Sequence, residues 1–173
     1  FDGKYGGLWR RNGRPPQQLV GVGFTAQGTF IGMPYKRSSD KSEMSWIFDG
    51  IEETIIGDFG FSGNGAAGFE LDRVDPKLDE GHDIQIIAQS YDTGKDFMLV
   101  PEEQLTHLTN MSGDLEDNVR RADMIYFNVT GGGNVFSTGS ITFCGSLPWK
   151  NFDNNVSRLL FNIFSKRLGP IKY

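Results

Sequence analysis

The sequence predicts a β-rich α/β chain that ends in one long helix, and three observations carry that expectation. The first is a hairpin, in which Ala122–Val129 (ADMIYFNV) and Asn134–Gly139 (NVFSTG) flank the turn Thr130-Gly131-Gly132-Gly133. Ser140–Cys144 is expected to continue its second strand. The second is a change of period after Asn151, where Val156, Leu159, Leu160, Ile163 and Phe164 fall at i, i+3, i+4, i+7 and i+8, the stripe of an amphipathic helix. Asp153 or Asn151 is predicted to cap its start. Lys166 and Arg167 complement the dipole at its end, and Gly169-Pro170 stops it. The helix should pack on the sheet that holds the hairpin. The third is a series of short β-type runs parted by glycine and proline.

These runs begin early. Gly6-Gly7, Asn12-Gly13, Pro15-Pro16, Gly21, Gly23, Gly28 and Gly32 punctuate the first fifty residues, and Gln18–Phe24 reads as a strand. Tyr35–Ser45 (YKRSSDKSEMS) is polar enough to predict an exposed, mobile loop, after which Trp46, Ile47 and Phe48 re-enter the core. Asp83–Ser90 is a clear strand, bounded by Gly81 and by Asp92-Thr93-Gly94. Phe97–Val100 follows as another, stopped by Pro101. Glu102–Thr109 predicts a turn or two of helix, and Asn110–Asn118 an acidic turn. With no internal repeat and no linker, residues 1–173 read as a single unit.

Composition narrows the function. A chain of 173 residues is long enough to bury roughly two-thirds of its unfolded surface without staples. Its net charge of -5 argues against a nucleic-acid surface. The one basic cluster, Arg10, Arg11 and Arg14, reads as a solvated turn or as partners for acids. Apolar runs are far shorter than the ~20 residues of a membrane span. A single cysteine, Cys144, and no secretory signal make a reducing cytoplasm the default expectation. The chain begins at Phe1, which suggests a fragment or a processed product.

The chemistry concentrates in Ile55–Val74, IIGDFGFSGNGAAGFELDRV. Gly57, Gly60, Gly63, Gly65 and Gly68, with Gly50 leading in, precede the carboxylates Glu70 and Asp72. Glycine tolerates positive φ and lets backbone approach a ligand, so such a loop ending in acids reads equally as an active-site rim or as surface turns. Gly63, Gly65 and Gly68 match G-x-G-x-x-G, yet FELDRVDPKLDEG supplies no long helix to hold a pyrophosphate. Cys144 with His82 or His107 lacks a nucleophile elbow and ends an apolar run, so it reads as a buried structural thiol. The histidines lack zinc-ligand spacing. On an extended segment Glu70 projects opposite Phe69 and Leu71, with Asp72 on its own side. Two carboxylates on one face raise each other's pKa, which makes a usable acid or base near neutral pH. Pairing with Arg73, Arg10 or Arg11 is the equal alternative.

At the level of longer motifs the chain resembles the C-terminal part of the large (beta) subunit of the N,N-dimethylformamidase family. The likeness lies in YGGLWRRNGRPP (Tyr5–Pro16), VGFTAQG (Val22–Gly28), GDFG with GNGAAGFELDR (Gly57–Arg73), RADM (Arg121–Met124), and GSITFCGSL with NFDNNVSRLLFN (Gly139–Asn162). It implies a layered α/β fold like the C-terminal portion of a class I glutamine amidotransferase domain. It also implies a mononuclear iron, held by two tyrosines and a glutamate upstream of these motifs, that acts on small amides. No metal ligand is carried over to Tyr5, Tyr35, Tyr91 or Tyr126. What carries over is Glu70 as catalytic carboxylate, with Gly63, Asn64, Gly65 and Asp72 lining the site. The implied partners are the remainder of the large subunit, a small subunit and a small amide, with neither nucleic acid nor membrane. A ligand-binding or subunit-assembly module is the competing expectation.

Overall fold

The computed structural model describes residues 9–38, 42–91, 93, 96–100 and 119–169. The predicted segments Glu102–Thr109 and Asn110–Asn118, together with Tyr5 and His107, lie outside them. Eight strands and three α-helices follow in chain order among the described residues: α1 Gln17–Val20, β1 Gly23–Met33, β2 Tyr35–Arg37, β3 Ile55–Ile56, β4 Ala67–Arg73, β5 Gln85–Ser90, β6 Phe97–Leu99, β7 Asp123–Val129, β8 Gly133–Ser137, α2 Phe143–Ser146 and α3 Asn155–Leu168. Short 3-10 turns occupy Trp9–Asn12, Ser42–Phe48 and Trp149–Phe152.

The strands form two antiparallel sheets, ordered β4-β1-β6 and β3-β2-β5-β7-β8. Pro34 parts β1 from β2 and is where the chain leaves one sheet for the other. Proline cannot donate a ladder hydrogen bond, so a sheet ends there without an orphaned N–H. The hairpin is present as β7 and β8, with Val129 opposite Gly133. Strand β7 alternates cleanly between two cores. Met124 and Tyr126 join the main cluster with Tyr35, Ile56, Leu71 and Leu159, whereas Ile125 and Phe127 join Val22 and Val74 on the other face. That two-sided burial is why Met124–Phe127 is apolar throughout.

The C-terminal helix runs from Asn155 to Leu168, and Val156, Leu159 and Ile163 are buried while Phe164 stays exposed. Its cap is Asn154, one residue beyond the predicted Asp153: the Asn154 side chain accepts from the Ser157 N–H at 2.9 Å and donates to the Leu147 and Trp149 carbonyls. The helix packs mainly against the Ser42–Phe48 turn, whose Trp46 meets Tyr126 edge-on at 5.5 Å. Helix and second sheet therefore touch partly through an intervening turn.

Four expectations are corrected. Gln18–Phe24 is not one strand: Pro16 opens a helical turn that buries Gln17, and β1 begins only at Gly23. At its described ends Tyr35–Ser45 is not a loop: Tyr35–Arg37 is a strand between β3 and β5 with Tyr35 fully buried, and a 3-10 turn begins at Ser42, while residues 39–41 lie outside the described ones. Lys36 is exposed, and Arg37 lies over the Phe48 ring. Ser140–Cys144 does not extend β8, since Gly139 at φ 70° turns the chain and Phe143–Ser146 is helical. Cys144 is consequently exposed, not a buried thiol.

Candidate active site

Glu70 and Asp72 lie on β4, where the two sheets meet. Their strand pairs with β1 on one side, Gln27 opposite Glu70 and Phe24 opposite Asp72. On the other side runs the segment Thr138–Ser140, which leaves β8 and crosses β4. The Asp72 N–H donates to the Gly139 carbonyl at 2.8 Å, and Leu71 bridges Ser140. Gly139 fits because it has no side chain: a Cβ there would meet the carbonyl oxygens of both Asp123 and Asp72 at 2.7 Å.

Glu70 and Asp72 stand two apart on β4, both half-buried. Asp72 is pushed up from the ordinary aspartate value to about 7, first by burial and then by the Glu70 charge. Tyr35 reaches the same junction from β2. Its hydroxyl donates to the Thr138 carbonyl at 2.7 Å, and its pKa is raised well above the usual phenol value by burial, with the Ser140 side chain opposing the rise and Asp72 and Asp123 adding to it. The phenol is thus neutral throughout the working range.

Ser140 completes the cluster. Its hydroxyl accepts from the Gly68 N–H at 2.6 Å, donates to the Gly68 carbonyl at 2.8 Å and lies 3.4 Å from the Thr142 hydroxyl. Asp123, fully buried, is held by Val74 N–H, Gln89 and Arg121 at 2.7–2.8 Å and ties β7 to the end of β4. It is a saturated structural carboxylate. Arg73 pairs with Asp75 at 3.1 Å.

The glycines of the loop do a different job from the one their spacing suggested. Gly65 is buried against Gly32, and a Cβ at Gly65 would lie 2.3 Å from the Gly32 carbonyl carbon; the Gly32 N–H donates to the Gly63 carbonyl at 2.6 Å. Two backbones cross there in contact, and the space is filled. Asn64 is exposed at the turn with φ 64°. Sequence reasoning missed Tyr35 and Ser140. Ser140 stood inside the GSITFCGSL motif, which was a signal; Tyr35 carried none.

His82 bonds the Gln18 carbonyl at 2.9 Å and stacks on Phe127, so it serves packing. Among the described residues no three His, Cys, Asp or Glu side chains converge to hold a metal. The carboxylate pair offers fewer donors than a resident iron takes, and the Tyr35 hydroxyl is spent on Thr138. These described residues do not by themselves make an iron site. No described helix is long and apolar enough to cross a membrane.

Comparison with known proteins agrees with the motifs. The family described as N,N-dimethylformamidase beta subunit-like, C-terminal, matches residues 1–156. The N,N-dimethylformamidase beta subunits of Paracoccus aminophilus and of an Alcaligenes species are 37% and 35% identical over 171 residues, which cover 95% of this chain. The chain spans 22% of the length of either relative. It belongs to the N,N-dimethylformamidase beta subunit-like, C-terminal family.

Proposed function

We propose that this chain is the C-terminal portion of an amide-hydrolase subunit that converts N,N-dimethylformamide, or a related small amide, to formate and dimethylamine. The observation that carries the reading is the Glu70–Asp72 pair at the sheet junction, one member of which holds a proton near neutral pH. Two neighbouring carboxylates, one of them protonated, can divide acid and base work between them. Glu70 takes a proton from water as the water oxygen bonds to the carbonyl carbon. Asp72, protonated, gives its proton to the departing amine nitrogen as the C–N bond breaks. Transfer from Glu70 to Asp72 then restores the pair. Asn64, with Gly63 and Gly65 shaping its turn, would rim the site from the loop that precedes β4.

Iron, held by residues outside this chain, would supply Lewis-acid polarisation of the amide carbonyl when bound. The amidotransferase-like layering implied by the resemblance belongs to the same proposal, as do a cytoplasmic setting and the partners, namely the rest of the large subunit and a small subunit. Apolar side chains left in solvent support assembly, since Phe61, Met98 and Leu168 are each 70% exposed or more. They also favour the second reading, in which the chain only builds the assembly. Dimethylamine release by the intact parent assembly, wild type against Glu70→Gln, separates the two. A loss of at least a hundredfold supports the catalytic role. Unchanged turnover leaves assembly as the function. The 173-residue chain alone should neither hold iron tightly nor hydrolyse formamides.

A further inference from the structure

We propose that Ser140 is the positioning residue of the carboxylate pair, clamping β4 at Gly68 so that Glu70 and Asp72 stay together at the sheet junction. The inference rests on the role proposed above for that pair. Phe69, which links Gly68 to Glu70, has φ 62°, a left-handed conformation that a bulky residue keeps only where its surroundings impose it. Around it the β1 register shifts, from Gln27 opposite Glu70 to Gly32 opposite Gly68. Ser140 constrains the residue just before it. One hydroxyl occupies both the N–H and the C=O of Gly68, which fixes the two peptide planes that flank Gly68 immediately before the kink.

The clamp is itself anchored. Tyr35 holds the Thr138 carbonyl from the second sheet, and Gly139 receives the Asp72 N–H, so the segment Thr138–Ser140 touches β4 at Gly68, Leu71 and Asp72. Ser140 reaches Asp72 through this backbone and through the Tyr35 hydroxyl, which its side chain also engages. The charge that acts on Asp72 is Glu70 on its own strand, and Tyr35 from β2, neutral, feels both Asp72 and Asp123 of β7. Releasing the clamp lets water in and Glu70 swing away. Both changes favour the charged form of Asp72.

The test is the titration of Asp72 in the intact parent subunit labelled with carboxyl-13C aspartate, followed by NMR, with Asp72→Asn to assign the signal and dispersed amide spectra as the check of folding. Ser140→Ala should lower the Asp72 midpoint by about one pH unit or more. Ser140→Thr keeps the hydroxyl and should retain the wild-type midpoint. Tyr35→Phe removes the anchor and should shift Asp72 in the same direction, which decides the matter if Ser140→Ala fails to fold. Folded Ser140→Ala and Tyr35→Phe chains that both titrate as wild type overturn the positioning role. A wild-type Asp72 that titrates in the ordinary carboxylate range instead overturns the acid–base reading of the pair.

Discussion

The hydroxyl of Ser140 bonds both polar groups of Gly68, at 2.6 and 2.8 Å, across 72 residues of chain. Through this contact and the neighbouring one between Gly139 and Asp72, the end of the hairpin holds the carboxylate-bearing strand. Three consequences for stability follow from the same junction, and a fourth concerns catalysis.

Asp72 makes stability depend on pH in a defined direction. Its folded pKa, about 7, lies above the ordinary 3.8, so the folded chain binds the proton more tightly than the unfolded one. The stabilisation linked to that proton is complete below the unfolded value and is lost as pH rises through 7. Asp72→Asn removes the titration. Urea unfolding of both chains between pH 4 and 8 should show the variant gaining on wild type as pH rises, by on the order of 3 kcal/mol across the window. Parallel curves would show that Asp72 is not perturbed.

Asp123 should be far less tolerant of the same change. Its fully buried carboxylate accepts from Val74 N–H and Gln89 and pairs with the partly exposed Arg121 at 2.8 Å. Asp123→Asn puts an amide donor where acceptors are needed and removes the charge that Arg121 pairs with here. A loss of about 3–5 kcal/mol in chemical unfolding is expected. A loss under about 1 kcal/mol would mean that the network relaxes freely.

Gly65→Ala tests the backbone crossing. The added methyl would stand 2.3 Å from the Gly32 carbonyl carbon, and backbone cannot swing aside as a side chain can. About 2 kcal/mol or more of destabilisation should appear as a lowered thermal midpoint. A near-neutral substitution would reopen Gly65 as free space beside the carboxylates.

What the sequence made legible was local. The Thr130–Gly133 turn between apolar runs announced β7 and β8, and the 3.6-residue stripe of Val156, Leu159 and Ile163 announced the last helix, because both signals sit within a few residues. The carboxylates were legible for the same reason, standing two apart on an extended strand. The junction was not. Tyr35 meets Thr138 across 103 residues, and its polar neighbours Lys36 and Arg37 disguised a central strand as a loop. The crossing of Gly32 and Gly65 turned a spacing that resembles a ligand loop into a packing requirement. Cys144 misled because Gly139 ends the strand it was expected to finish.

The division of labour between Glu70 and Asp72 is tested most directly by the pH profile of kcat/KM for dimethylamine release by the intact parent assembly, wild type against Asp72→Asn. Wild-type activity should fall as pH rises above about 7, where Asp72 loses its proton. The variant should be slower by roughly a hundredfold or more and should lack that alkaline limb. An Asp72→Asn assembly that matches wild type in rate and keeps the same limb would contradict the account.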